Sequence, residues 1–163
     1  MPQSNNVNSQ GSRCSCTALR KASRRISQLY DAALAPSGLK TTQRAILAQI
    51  RRCESTTVGS LAEALVMDAG ALAHTLKPLE RDGLVSIEVD RKDRRNRLVR
   101  LTPAGRSRLT ESDLLWEKAQ RGFEAAFGRV KSEALREAMG LLVSGEFVRA
   151  FQKATLASKT QMP

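Results

Sequence analysis

The chain has 163 residues, with 27 Lys and Arg against 16 Asp and Glu, a formal net charge of +11 and 41% hydrophobic residues. That length supports one domain with a real core, and that charge favours polyanionic partners, nucleic acid ahead of an acidic membrane surface. Aromatics at 4% are too few for a stacking platform that reads single strands, and no apolar run approaches the roughly 18 residues of a membrane span.

Residues 1–12, MPQSNNVNSQGS, are rich in Asn, Ser and Gln, which predicts a disordered tail. They lack the apolar stretch of a secretory signal, so the chain is expected in the cytoplasm with its three cysteines reduced. A first helix is predicted from Cys14 or Ser15 to Ala33. Leu19, Ala22, Ile26, Leu29, Tyr30 and Ala33 share one face, and Arg20, Lys21, Arg24 and Arg25 lie mainly off it. Pro36-Ser37-Gly38 breaks that pattern. A second helix starts at Thr41 or Thr42, both suitable N-caps, and ends near Cys53.

Thr57 can cap a short third helix with Val58, Leu61, Ala62 and Leu65 on its apolar face. Asp68 can cap the next, with Leu72, Leu76 and Leu79 inward and Gly83 at its C-terminal end. Pro78 conflicts with that helix, because it removes a backbone donor, and local rules alone would shorten it. Residues 84–89 and 97–101 read as the strands of a hairpin. Between Arg91 and Arg100 stand six cations (Arg91, Lys92, Arg94, Arg95, Arg97, Arg100) and one acid, Asp93. Charge on a hairpin can simply block edge pairing, but arginines clustered at a projecting tip suit phosphates or a narrow minor groove. Two short helices, a tight turn and a basic hairpin make a winged helix-turn-helix.

Thr102 can cap a long helix with Pro103 in its first turn. Leu109, Trp116, Phe123 and Val130 recur every seven residues along it, with Ser112, Ala119 and Ala126 between them. Gly128 ends this segment. A last helix is expected over about 132–154, with Leu135, Ala138, Leu142, Phe147 and Phe151 at helical spacing and Gly145 interrupting it. Residues 156–163 read as a C-terminal tail. The expected fold is therefore mainly α with a small β-hairpin wing, in one domain over 13–155. The winged core covers about 41–102, and the flanking helices about 14–35 and 103–155. The simplest use of those flanking helices is to bury one another across a two-fold axis, which would set two reading helices about one turn of DNA apart.

Catalysis has no foothold here: there is one histidine, no nucleophile motif, no glycine-rich phosphate loop and no recognisable carboxylate pair, so neither enzyme activity nor a cofactor is expected. His74 is read either as a surface residue or as a DNA contact, and no second ligand at suitable spacing supports a metal site. Cys14-Ser15-Cys16 lacks the Cys-x-x-Cys spacing of zinc and redox motifs. Its thiols are either inert or a redox sensor at a helix N-terminus, with Cys16 the better placed. Cys53 reads as a buried small hydrophobe.

The run Met67-Asp68-Ala69-Gly70-Ala71-Leu72-Ala73-His74-Thr75-Leu76-Lys77-Pro78-Leu79-Glu80-Arg81-Asp82-Gly83-Leu84-Val85, then Asp93-Arg94-Arg95 and Leu101-Thr102-Pro103-Ala104-Gly105, resembles the MarR family of bacterial transcription regulators. The resemblance covers about residues 15–155 and accommodates Pro78, since the family's recognition helix often has proline there. It implies a dimer joined through its N- and C-terminal helices, with recognition helices in the major groove and wings toward the minor groove. Gly70, Ala71, His74, Thr75 and Lys77 would lie at the major groove, and Thr57 and Ser60 near the backbone. Arg94 would be the wing arginine, with Arg91 and Arg95 beside it and Asp93 holding a neighbouring arginine by a salt bridge. Many relatives carry Arg at the position of His74 and Arg, Ser or Thr at those of Ala69 and Gly70. Small residues make no bidentate base contacts, so direct readout is thin and more weight falls on the wing and on DNA shape.

The resemblance further implies a signal. Some members sense peroxides through a cysteine near Cys14 and Cys16. Many release DNA on binding aromatic carboxylates or phenols, for which Ile26, Leu29, Tyr30, Leu47, Trp116 and Phe123 are candidate lining residues and Arg20 or Arg24 candidate carboxylate partners. The expected function is a homodimeric repressor on a palindromic operator in double-stranded DNA, released by a small aromatic ligand or by cysteine oxidation. The alternative is a non-specific architectural DNA-binding protein, with a similar basic surface and no response to an effector.

Overall fold

The computed structural model describes residues 14–159, so the tail expected over 1–12 lies outside the described residues. Helix α1 (Ser15–Leu34) leads through a single 3-10 turn, Ala35–Ser37, into α2 (Thr41–Cys53). Gly38, at φ +72°, supplies the left-handed residue of that turn. Neither Thr41 nor Thr42 caps α2. Lys40 holds the N-cap position, its N–H donates to Gln43 Oε1 at 2.9 Å, and the N–H of Thr41 donates to Asp31 Oδ1 of α1 at 2.7 Å. The cap thus comes partly from another helix, which local sequence does not disclose.

A two-residue strand β1 (Thr56–Thr57), absent from the sequence reading, precedes α3 (Val58–Ala64) and α4 (Ala69–Arg81). Strands β2 (Val85–Val89) and β3 (Arg97–Leu101) form the expected hairpin. The sheet has three antiparallel strands in the order β1-β3-β2, with Ile87 opposite Val99 and Thr56 pairing Val99 from the other side. Two threonines, the second of them the cap of α3, are too short a run to show a strand by periodicity.

The core lies where α2, α3, α4, the sheet and the start of α5 meet. Ile46, Leu47, Ile50, Leu61, Leu72, Leu76, Leu79, Val99 and Leu109 are essentially inaccessible to solvent there. Helix α4 keeps its helical conformation through Pro78 to Arg81. Leu79, beyond the proline, is fully buried, and a Schellman arrangement closes the end. Leu84 N–H donates to Leu79 O at 2.8 Å and Gly83 N–H to Glu80 O at 2.9 Å, with Gly83 at φ +70°. Those contacts offset the donor that Pro78 removes.

Helix α5 (Pro103–Phe127) runs from the wing to α6 (Arg129–Leu142), with Thr102 as its N-cap and Gly128 at its end. The single last helix expected over 132–154 is in fact two helices. α6 stops at Leu142, and α7 (Gly145–Lys159) starts again after Ser144, whose hydroxyl accepts from Phe147 N–H at 3.1 Å. Gly145 therefore begins a helix and does not interrupt one, and α7 extends into the stretch expected as a tail. α1 packs along α5, α6 on α5 and α7 on α6. Among the described residues, no helix is long and apolar enough to cross a membrane.

Candidate nucleic-acid interface

Helix α4 turns Leu72, Leu76 and Leu79 into the core, which leaves Gly70, Ala71, His74 and Lys77 exposed. Asp68 Oδ1 accepts from the N–H groups of Gly70 at 2.9 Å and Ala71 at 3.1 Å, so the first turn is capped. A Cβ on Gly70 would stand 3.0 Å from that same carboxylate oxygen, which gives the small residue a local reason. Thr75 is half-buried, and its hydroxyl donates back to Ala71 O at 3.0 Å. Of the expected reading residues, His74 and Lys77 are the ones with extended, unpartnered polar groups among the described residues. At the start of α3, Thr57 Oγ1 accepts from Ser60 N–H at 3.0 Å and lies 2.9 Å from Ser60 Oγ. Ser60 is exposed and Thr57 half-buried.

The wing is built around two aspartates. Asp90 N–H donates to Asn96 O at 3.0 Å and closes the loop, while Asp90 Oδ1 accepts from Lys92 N–H at 2.8 Å. Asp93 Oδ1 accepts from Arg95 N–H at 3.1 Å, Asp93 Oδ2 from Asn96 Nδ2 at 3.3 Å, and Asp93 O from Asn96 N–H at 2.9 Å. Asp93 also lies 3.6 Å from Arg95 Nε. The acid that the family resemblance casts as an arginine partner is thus also a backbone brace, of the kind aspartate commonly supplies in turns. Arg91, Arg94 and Arg95 are all exposed. Arg94 has no ion pair or hydrogen bond among the described residues.

The base of the wing is locked to α5. Thr102 N–H donates to Leu84 O at 3.2 Å, Thr102 Oγ1 donates to Gly83 O at 2.6 Å, and the same hydroxyl accepts from Gly105 N–H at 3.0 Å. One threonine therefore ties together the end of α4, the start of β2 and the start of α5.

A basic groove of about 750 Å³ opens between the start of α2 and the outer face of α4, lined by Lys40, Thr42, Gln43, His74, Thr75, Lys77, Pro78 and Arg81. His74, Thr75 and Lys77 are the expected DNA contacts among them, and Lys40 and Arg81 are additions to that set. Arg81 follows Lys77 by four residues, so helical periodicity was enough to find it. Lys40 joins the groove only through tertiary packing.

The expected effector residues do not form one pocket. Ile26, Leu29, Tyr30 and Phe123 line an apolar cavity of about 380 Å³ between α1 and α5, together with Ala33, Ala119 and Phe127. Tyr30 Oη donates to Gln120 Oε1 at 2.9 Å, and burial raises its pKa, with Glu124 adding to the rise. Arg20 and Arg24 are exposed elsewhere on α1 and do not line this cavity, and no cationic side chain is among its lining residues. Leu47 is plain core at 0% exposure. Trp116 lies apart, between α2 and α5, with the Arg44 guanidinium 4.6 Å from its ring centre. Beside it Asp113 accepts from Arg44 Nη2 at 2.6 Å and Arg51 Nη1 at 2.9 Å.

Cys14, not Cys16, is the N-cap of α1, and all three cysteines are exposed, Cys53 included. Cys53 sits at the last turn of α2, where Gln49 Nε2 donates to its sulfur at 3.8 Å, and its apolar character does not carry it inside. Hydrogen bonds from the Thr17 hydroxyl and then the Thr17 N–H hold the Cys14 thiol below its ordinary pKa. Among the described residues no cluster of His, Cys, Asp or Glu is arranged to hold a metal ion.

A helix pair followed by a hairpin wing in a three-stranded sheet, flanked by long terminal helices, defines a winged helix-turn-helix protein. The MarR family profile matches residues 39–96. The transcriptional activatory protein BadR of Rhodopseudomonas palustris is 35% identical over 102 residues, 60% of this chain and 54% of that protein, so the chain spans about half the length of this curated relative. The M. tuberculosis transcriptional regulator MosR, solved in complex with DNA, is 33% identical with a TM-score of 0.68, over 78% of this chain and 95% of that one. A mutant MarR of E. coli complexed with operator DNA shares the fold at 21% identity and a TM-score of 0.71, over 79% of this chain and 93% of that one. The chain belongs to the MarR family.

Proposed function

We propose that this protein is a transcription regulator that binds double-stranded DNA sequence-specifically, as a homodimer on a palindromic operator. The observation that carries the reading is the wing. Asp90 and Asp93 are engaged with the backbone of the loop, while Arg94 stands exposed at its tip without a partner among the described residues. A cation presented on a braced hairpin suits insertion at a phosphate-lined minor groove. MosR, at 33% identity, was solved with DNA, which supports the same partner here. The outer face of α4 adds His74 and Lys77 at the major groove, with Gly70 and Ala71 allowing close approach. Repression by operator occupancy is the mode we infer. A promoter fusion tests it: expression that rises when the protein is deleted supports repression, and expression that falls supports activation.

For the signal we infer oxidation at Cys14, with Cys16 two residues on. An exposed thiol with a lowered pKa has more of the nucleophilic thiolate that hydroperoxides oxidise to sulfenic acid. A second reading rests on the cavity between α1 and α5, whose apolar lining suits a neutral aromatic such as a phenol better than a carboxylate. The deciding measurement is binding to the duplex upstream of the protein's own gene, against a scrambled duplex, at fixed salt. It is run in reductant, after hydroperoxide, and with a phenol. Preference for the upstream duplex, lost on oxidation and regained with thiol, supports the regulator and its redox signal. Loss with the phenol alone supports the cavity. Equal affinity for both duplexes favours the architectural alternative.

A further inference from the structure

We propose that the groove between α2 and α4 is a second DNA contact, which grips one phosphate strand beside the major groove through Lys40, Lys77 and Arg81. The inference rests on the DNA-binding reading above and extends the contact from the recognition helix to the start of α2. Four basic side chains, Lys40, His74, Lys77 and Arg81, line this groove, and no acid does. Three of them follow one another along α4 at helical spacing, and Lys40, at the N-cap of α2, joins them from a distant part of the chain. Lys77 and His74 have no ion-pair partner among the described residues. The pairs that the other two make are weak. Lys40 Nζ stands 3.8 Å from Asp31 with 70% of its side chain exposed, and Arg81 pairs with its chain neighbour Asp82 in full view of solvent. Exposed pairs of this kind contribute little, so both cations are free to change partner.

The occupant is set by charge and continuity. Lys77 and His74 belong both to this groove and to the exposed face of α4, so a duplex seated on α4 brings its backbone alongside the groove. A phosphodiester strand matches a line of point charges with no carboxylate competing from the lining. Such contacts set register and affinity and carry no sequence information.

The test uses the full chain with Lys40→Gln, Arg81→Gln and the double variant, each titrated with the upstream duplex and a scrambled duplex across a salt series. Each lost phosphate contact is expected to lower the slope of log K against log salt by about 0.9. In a dimer each substitution occurs twice, so the double variant removes four contacts and should lose about 3.6 units of slope, and its affinity should fall by the same factor on both duplexes. Thermal unfolding should be unchanged, since both side chains are exposed. A wild-type slope in the double variant overturns the proposal, and so does a loss confined to the upstream duplex, which would mark a base contact. Failure of the wild-type protein to bind either duplex would instead overturn the DNA-binding reading itself.

Discussion

Gly105 shows how closely the wing is joined to the rest of the chain. A Cβ there would lie 1.9 Å from the carbonyl oxygen of Leu84, which is backbone and cannot swing away. The glycine in the Leu101-Thr102-Pro103-Ala104-Gly105 run is thus a close-approach glycine, and Thr102 is the hydrogen-bonding half of the same joint. Gly105→Ala is expected to destabilise the fold by about 3 kcal/mol through overpacking, read by denaturant unfolding. A loss under about 1 kcal/mol would mean that α5 can slide away from β2. Arg94 is the opposite case, with nothing in the fold depending on it. Arg94→Ala should weaken binding to the upstream duplex by about 1–2 kcal/mol and leave unfolding unchanged. Wild-type affinity in that variant would remove the wing from the interface. Asp93→Ala should show both effects in small measure, because that carboxylate braces the tip that carries Arg94.

At the scale of elements, Asp113 joins two parts of the fold. It takes Arg44 and Arg51 from α2 onto α5, and Arg44 lies over Trp116. Burial pushes the Asp113 carboxyl up, but hydrogen bonds from Arg51 and Arg44 and their charges outweigh it and leave the pKa lowered. A carboxylate lowered on folding adds stability that is complete above its unfolded pKa, about 4, and is lost as pH falls through the lower folded value. Asp113→Asn should therefore cost stability at neutral pH, and its deficit against wild type should shrink below about pH 4, as followed by urea midpoints across pH. A deficit that is constant with pH would show that the pair acts through shape alone. Such cross-element links are what the sequence conceals. Asp68, Thr57, Thr102 and Gly83 were legible because a cap or a left-handed turn is decided within a few residues. Asp31 capping α2, Thr56–Thr57 pairing β3, the exposure of Cys53 and the separation of Trp116 from Tyr30 depend on how helices meet, and no local pattern encodes that. Pro78 was a local rule overridden by the packing of Leu79.

The whole chain carries more apolar surface than one copy can cover. Val130, Leu141, Val143 and Phe151 are each more than half exposed, all of them on or between the C-terminal helices. Helix α7 packs on α6, and the tilted ring pair Phe147–Phe151, with ring centres 6.1 Å apart, includes a ring that faces solvent. Clustered apolar exposure of this kind marks an interaction surface. A second copy is the occupant that also serves the proposed function, since two reading helices must be set one DNA turn apart to meet a palindrome. Placing charge at Leu141 and Phe151 together, as Leu141→Asp with Phe151→Asp, should convert a dimer to a monomer in sedimentation at micromolar concentration. Affinity for the upstream duplex should fall by more than about tenfold as the second half-site is lost, while the scrambled duplex is affected much less. The winged core shares none of these side chains, so its helical signal should persist. A wild-type chain that sediments as a monomer at the same concentration would show that the duplex is read by one winged domain, and the palindrome would lose its structural basis.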